Sequence, residues 1–150
     1  MCTIRKLTLC LHNLNSSKGV FKMNKEIEKY NELESQKDQN ICNILMYEIN
    51  SRLTKSNSKI WHGSPVWFID GNPIVGYSKL KSCIQLLFWS GASFEESLKP
   101  VGKYKAAEVR YTDGVQINID DLTRWLNKSK EIQWDYKNIV KRNGVLERLK

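Results

Sequence analysis

The stretch KIWHGSPVWFIDGNPIVGYSKLKSCIQLLFW, residues 59–89, decides the fold of this chain. Pro65 opens a strand, where its missing N–H is tolerated, and Val66 to Ile69 are all β-branched or aromatic. Asp70-Gly71 predicts a tight turn, because glycine takes positive φ at no steric cost, and Ile74 to Tyr77 predicts the return strand. The stretch therefore begins as an antiparallel hairpin.

A third strand of the same meander is predicted over Cys83–Trp89, and it is apolar on both faces. A half-buried strand alternates apolar with polar residues. We therefore expect the face that carries Leu87 and Trp89 to be covered by a terminal segment, a ligand or a partner subunit, as in a homodimer. Trp67 and Tyr77 join that second face in one register of the sheet, and the sequence does not decide the register.

Helical patterns flank the meander. Apolar residues recur at helical spacing between Asn24 and Lys55, and the polar part from Glu26 to Asp38 is either a separate short helix or a loosely held first turn. The polar residues from Ser51 to Lys59 predict a loop.

Two further strands and two helices are predicted after the meander. Ala106–Tyr111 and Val115–Ile117 predict short strands, and Asn118 predicts the cap of a helix. That helix packs through Leu122, Trp125, Leu126 and Ser129. Gln133–Arg142 predicts a last helix, so the fold class is α+β: a single domain with an antiparallel sheet of about five strands and N- and C-terminal helices packed on it.

Composition divides the chain into three parts. Residues 1–22 are interpreted as an N-terminal appendage, because a second Met at position 23 precedes an ordinary protein start. Residues 23–132 form the α+β domain, and residues 133–150 form a basic helical extension. The appendage holds four basic residues and no acid, so it carries half of the formal net charge of +8 and weakens a nucleic-acid argument from charge alone.

The four cysteines form no CxxC pair, which indicates reduced thiols and a cytoplasmic protein, and no apolar run is long enough to span a bilayer.

The block Trp61-His62-Gly63-Ser64-Pro65-Val66, with the Gly102-Lys103 loop and the acidic helix start Ile119-Asp120-Asp121-Leu122, resembles the YdhG-like domain family of unknown function. The likeness covers Ile41 to Ser129, and IQWDYKNIVKRNG (residues 132–144) is similar to an extension found in one subgroup. The resemblance implies a compact α+β domain and no agreed enzyme activity. It also implies, from some members, a frataxin-like intracellular iron-chaperone role.

Three sets of residues are candidate binding sites, and a structural explanation competes with each. An aromatic pocket for a small anionic ligand would use Trp61, His62, Trp67, Tyr77, Trp89 and Lys103, although core packing is the favoured reading. Iron would use the carboxylates Glu28, Glu32, Glu34 and Asp38, although interleaved lysines favour a salt-bridged surface. Nucleic acid would use Lys137, Lys141 and Arg142, although cations late in a helix also complement its dipole.

Catalysis has no sequence support, since Ser64 and Ser90 lie near glycines without a GxSxG context. We therefore expect a non-enzymatic binding or chaperone-type protein, with an iron chaperone as one form of it. Nucleic-acid binding through the basic C-terminal region and small-molecule binding in an aromatic pocket are the alternatives. No cofactor besides iron is implied, and no membrane partner is expected.

Overall fold

A computed structural model describes residues 23–150, and the expectation for residues 1–22 lies outside this range. The helices of the described part are α1 (Lys25–Glu32), α2 (Gln36–Arg52) and α3 (Ile119–Glu131). Its strands are β1 (Asn57–Trp61), β2 (Ser64–Ile69), β3 (Asn72–Lys79), β4 (Ile84–Phe88), β5 (Lys99–Pro100) and β6 (Ala107–Tyr111). They form one antiparallel sheet in the order β1-β2-β3-β4-β6-β5. The α+β class is confirmed, with one strand more than expected.

The helical region before the meander is two helices, because the chain breaks after Glu32. Asn24 caps α1: its side-chain Oδ1 accepts hydrogen bonds from the N–H of Glu26 at 2.9 Å and of Ile27 at 3.3 Å. Ser35 caps α2 by accepting a bond from the N–H of Asp38 at 3.2 Å. Each helix therefore starts at its own polar cap, and the polar first part is a separate short helix.

Strand β1 begins inside the segment that was predicted to be a loop and takes its last three residues, 57–59. It pairs with β2, and His62 and Gly63 connect the two with φ of 51° and 81°. Asp70 and Gly71 repeat this geometry between β2 and β3, with φ of 51° and 80°. Positive φ at both central residues is the type I′ hairpin turn, whose twist matches that of the strands it joins. The loop prediction for Ser51–Lys59 is therefore wrong at Ser51 and Arg52, which end α2, and from Asn57 onward.

The three helices all pack against one face of the sheet, and the main hydrophobic core lies between the helices and that face. Three contacts define this inner face, each between one helix and one strand: Asn31 with Tyr77, Asn50 with Trp67, and Trp125 with Phe88. The buried residues of α3 are Leu122, Trp125, Leu126 and Ser129, which confirms the predicted packing face.

The helix predicted over Gln133–Arg142 is not formed, and residues 133–150 make an irregular segment that we call the C-terminal strap. Trp134 pairs with Arg148 in an isolated antiparallel bridge. The Asp135 carboxylate accepts hydrogen bonds from Asn138 and Arg142, so local side-chain contacts replace helical ones. The strand predicted over Val115–Ile117 is also wrong, since Gly114–Gln116 is a 3₁₀ turn capped by Asp113.

Candidate functional site

The face of the sheet opposite the helices, here the outer face, carries the candidate site. Lys59, Val66, Gly76, Leu87 and Glu108 form one row across it, since each is the register partner of the next. Directly paired residues of antiparallel strands project to the same side. The outer face therefore contains aliphatic, glycine and charged positions in a single line across five strands.

The side chains of Trp67 and Tyr77 face the helices, although Tyr77 also contributes to the lining of a pocket on the outer face. The Trp67 indole Nε1 donates to Asn50 Oδ1 at 2.8 Å, and the Tyr77 hydroxyl donates to Asn31 Oδ1 at 2.6 Å. Burial raises the pKa of the Tyr77 hydroxyl, so it remains protonated as a donor. The register that would bring the two rings beside Leu87 is not the one that the sheet adopts.

Three aromatic rings meet on the outer face, and we call them the outer aromatic cluster: Trp61 of β1, Phe68 of β2, and Trp89, which directly follows β4. The centroid of the Trp61 ring lies 5.4 Å from that of Phe68 and 6.1 Å from that of Trp89. Both indoles are half-buried, whereas Phe68 and its strand neighbour Val66 are buried. Side chains from within residues 59–89 therefore cover part of the second face of the sheet.

A shallow pocket of about 160 Å³ lies beside this cluster. Its walls include Trp61, Trp89 and Leu87, and the hydroxyls of Ser64 and Ser78 add a polar side, where Ser78 Oγ donates to Ser64 Oγ at 2.9 Å. The lining residues all fall between positions 61 and 89. The pocket is therefore built by the β1–β4 part of the sheet alone.

Glycine at position 76 is a steric requirement of this surface. A Cβ added there would lie 2.6 Å from the carbonyl oxygen of Pro65, 3.1 Å from Val66 Cγ2 and 3.4 Å from Trp89 Cζ3. The first distance is too short for real atoms, and the third shows how closely the Trp89 ring approaches the strand. The missing side chain thus makes room chiefly for the Pro65 carbonyl of the neighbouring strand, with the Trp89 ring beside it.

Charged side chains stand on both sides of the pocket. Lys59 Nζ lies 4.9 Å from the centroid of the Phe68 ring, a cation–π contact. Across the sheet, Glu108 is 4% exposed and accepts hydrogen bonds from Arg110 Nε at 2.6 Å and Nη2 at 3.1 Å. The Arg110 hydrogen bonds lower the pKa of Glu108, and the nearby positive charge of Lys99 acts in the same direction. Cations therefore flank the pocket, and the carboxylate between them is buried.

The remaining residues of the predicted aromatic pocket, His62 and Lys103, lie in different places. His62 is an exposed turn residue whose ring centroid lies 4.4 Å from that of Trp61, and it is part of the pocket lining. Lys103 instead lies over the Tyr104 ring at 5.1 Å, and the Tyr104 hydroxyl donates to the carbonyl oxygen of Gly144 in the strap. The structure therefore brings together Trp61, His62 and Trp89, and it places Lys103 beside the strap.

The predicted iron ligands do not form one site. Glu28 and Glu32 share α1, whereas Glu34 lies in the break between the helices and Asp38 lies in α2. The Asp38 carboxylate forms an ion pair with Lys79, in which Oδ2 lies 2.6 Å from Nζ. Within residues 23–150, no group of three or more His, Cys, Asp or Glu side chains is placed to hold a metal ion. The iron-chaperone hypothesis stays a prediction, which anaerobic iron titration tests.

The predicted nucleic-acid residues of the strap are mostly engaged in holding it in place. Arg142 donates to Asp135 at 2.6 Å and forms an ion pair with Glu147 at 2.8 Å. Lys137 Nζ donates to the carbonyl oxygen of Asp70 at 3.0 Å. Lys141 is exposed. The three cations were predicted on one helix, and without that helix they share no regular face.

Several residues of the outer face were missed at the sequence level, among them Lys59, Phe68, Gly76 and Arg110. For Lys59, the signal that could have found it is the dipeptide His62-Gly63, because both residue types tolerate the positive φ of a hairpin turn and so imply a strand before it. That extra strand brings Trp61 and Lys59 onto the sheet.

Comparison with known proteins adds no relative to this picture. No protein-family model, curated protein or solved structure matches the chain. The resemblance to the YdhG-like family therefore stays a prediction. Of the helices in the part that the structure describes, none is both long and apolar enough to cross a bilayer.

Proposed function

We propose that this chain is a non-enzymatic, YdhG-like binding protein that takes one planar ring of a ligand into the outer-face pocket beside Trp61 and Trp89. The observation that carries the proposal is the pair of half-buried indoles, with ring centroids 6.1 Å apart, beside a pocket of about 160 Å³. A cavity of about 150 Å³ lined by apolar side chains is large enough for benzene. The pocket thus has the size of one ring rather than of a large cofactor.

The chemistry of the lining supports a planar, partly polar ligand. Aromatic rings pair favourably in offset or edge-to-face arrangements, and each such pair contributes about 0.5–1.5 kcal/mol beyond area burial. The hydroxyls of Ser64 and Ser78 lie on the same pocket and supply hydrogen-bonding groups to the edge of such a ring. The ligand class that fits is therefore a heteroaromatic ring with polar edge atoms.

The test is a titration with adenosine and with indole, followed by ¹H–¹⁵N NMR of the five tryptophan indole N–H signals. We expect the signals of Trp61 and Trp89 to shift, whereas those of Trp67 and Trp125 on the inner face stay in place. Trp61→Ala should weaken adenosine binding by about 2- to 13-fold, the equivalent of one aromatic pair.

Trp134→Phe is the matched control, because Trp134 lies in the strap and donates to Ser93 Oγ at 3.0 Å, outside the pocket. This variant should bind adenosine as the unmodified chain does. The proposal fails if millimolar adenosine and indole leave the Trp61 and Trp89 signals unchanged. It also fails if both tryptophan variants lose binding equally.

A further inference from the structure

We infer that the ligand of the outer face is a single-stranded nucleic acid, with one base in the pocket and its phosphates on the cations to either side. This inference rests on the proposed function and deepens it by naming the ligand class. It uses different residues from the strap lysines that the sequence suggested.

The layout of the outer face is the first argument. The three helices pack on the inner face, so the outer surface of β1–β4 presents its aromatic cluster away from them. Base stacking on tryptophan is favourable and tolerant of sequence, because every base has a π face. A sheet with helices on one side and half-buried indoles on the other can therefore hold an extended strand of bases.

The positions of the cations are the second argument. Lys59 stands at one end of the row across the outer face, and Lys99, the register partner of Glu108, stands at the other. Strands lie about 4.8 Å apart, so this row of six strands spans about 24 Å. The pocket lies between its ends. A chain that carries negative charge at regular intervals can meet a cation on each side while one ring is held in the middle.

The electrostatics of the row are the third argument. Arg110 lies two residues after Glu108 on the same strand and therefore on the same face, and its side chain is 54% exposed although it binds that carboxylate. Glu108 itself is buried. The buried Glu108 carboxylate offsets the charge of Arg110, so the net positive charge of the row comes from Lys59 and Lys99, and it favours phosphate.

A single strand fits these features better than a duplex or a peptide. A duplex stacks its bases internally, so their faces are not offered to Trp61 and Trp89. A peptide can insert an aromatic side chain, but it lacks a backbone with one negative charge per unit. Both are separate outcomes of the test below.

The experiment measures fluorescence anisotropy of labelled single-stranded DNA of about 12 nucleotides, a length within known site sizes. With two phosphates neutralised, affinity should fall about 7-fold between about 50 mM and about 200 mM salt. Trp61→Ala should weaken binding about 5- to 150-fold, the usual range for one stacked base. Lys59→Gln should reduce the salt slope by about 0.7. Lys25→Gln, an exposed change on α1, is the matched control and should alter neither quantity.

The outcomes separate this inference from the proposed function. If adenosine shifts the Trp61 and Trp89 signals but the oligonucleotide binds no more tightly than adenosine, the inference is overturned and the proposed function stands. If neither probe shifts those signals, both fail. Equal affinity for duplex DNA, or tighter binding of an acidic peptide with one tryptophan, also overturns the inference. Lys59 is exposed, so its variant keeps the test decisive even if Trp61→Ala fails to fold.

Discussion

Gly76→Ala should destabilise the protein by closing the space between β2 and the Trp89 ring. The added methyl would meet the Pro65 carbonyl oxygen at 2.6 Å and Val66 Cγ2 at 3.1 Å. Inserting a methyl into a packed site costs about 1–3 kcal/mol. Unfolding entropies of about 2.1 cal/mol/K per residue imply a loss of about 4 °C in Tm per kcal/mol for a domain of this size. We therefore expect Tm to fall by about 4–11 °C.

The assay is thermal unfolding by circular dichroism, combined with the Trp89 indole N–H signal. The clash is with backbone, so Val66→Ala, which removes only Cγ1 and Cγ2, should not rescue Gly76→Ala. Gly102→Ala is the control: Gly102 has φ of 70° and open space around an added Cβ, so it loses stability through backbone strain and leaves Trp89 unchanged. A Gly76→Ala protein within about 2 °C of the original Tm, with an unshifted Trp89 signal, would refute the described packing.

Two further predictions concern groups outside the pocket. Tyr77→Phe removes the 2.6 Å hydrogen bond to the fully buried Asn31 and should lower the free energy of unfolding in urea by about 1–3 kcal/mol. Tyr104→Phe is the control: it removes an exposed 3.2 Å bond and should change that free energy by less than about 0.5 kcal/mol. Hydrogen bonds from Arg124 and Lys128 hold the pKa of Glu96 far below its usual range. The ionised Glu96 carboxylate therefore stabilises the fold above the unfolded-state pKa of about 4.3, and this contribution is lost as pH falls below that value. The urea midpoint should therefore drop on acidification, and less steeply in Glu96→Gln than in Glu95→Gln; equal slopes would contradict this role.

The parts of the fold that sequence predicted correctly are those specified by local chemistry. Asp70-Gly71 supplies the positive φ of a type I′ turn without help from the rest of the molecule. In α3, Asn118 accepts a bond from the N–H of Asp121 at 3.0 Å, and the apolar spacing alone identifies the packing face. Turn residues, caps and apolar spacing act over a few residues, so they predict local structure without knowledge of tertiary contacts.

The parts that sequence predicted wrongly depend on distant partners. Strand β1 reads NSKIW, which has little β character, and its identity as a strand comes from pairing with β2. The strap has apolar residues at helical spacing, yet Val140 is 85% exposed. Tyr136 accepts a bond from the N–H of Lys105, and Trp134 bonds to Ser90 and Ser93, so contacts with the rest of the fold replace the helix.

The site was only partly predictable, because its membership depends on register. The segment Cys83–Trp89 contributes apolar residues to both faces of the sheet, as its sequence indicates, and Trp61, His62 and Trp89 do meet beside one pocket. Trp67 was grouped with them on composition, but it is 1% exposed and lies on the inner face. Phe68, the next residue of β2, projects to the opposite side of the sheet, where its ring lies beside Trp61. A one-residue difference in register exchanges the faces, and composition carries no information about it.

The contrast between Trp67 and Trp61 shows which physical criterion separates a core tryptophan from one available to a ligand. A buried indole N–H needs an acceptor, and Trp67 has one in Asn50 of α2 at 2.8 Å. Trp61 stays half-buried at the end of an edge strand, beside an exposed turn. Its ring packs on Phe68 and Trp89 and also lines the pocket. A ligand on the outer face can therefore stack on Trp61 without breaking the core, whereas a ligand at Trp67 would have to displace a helix.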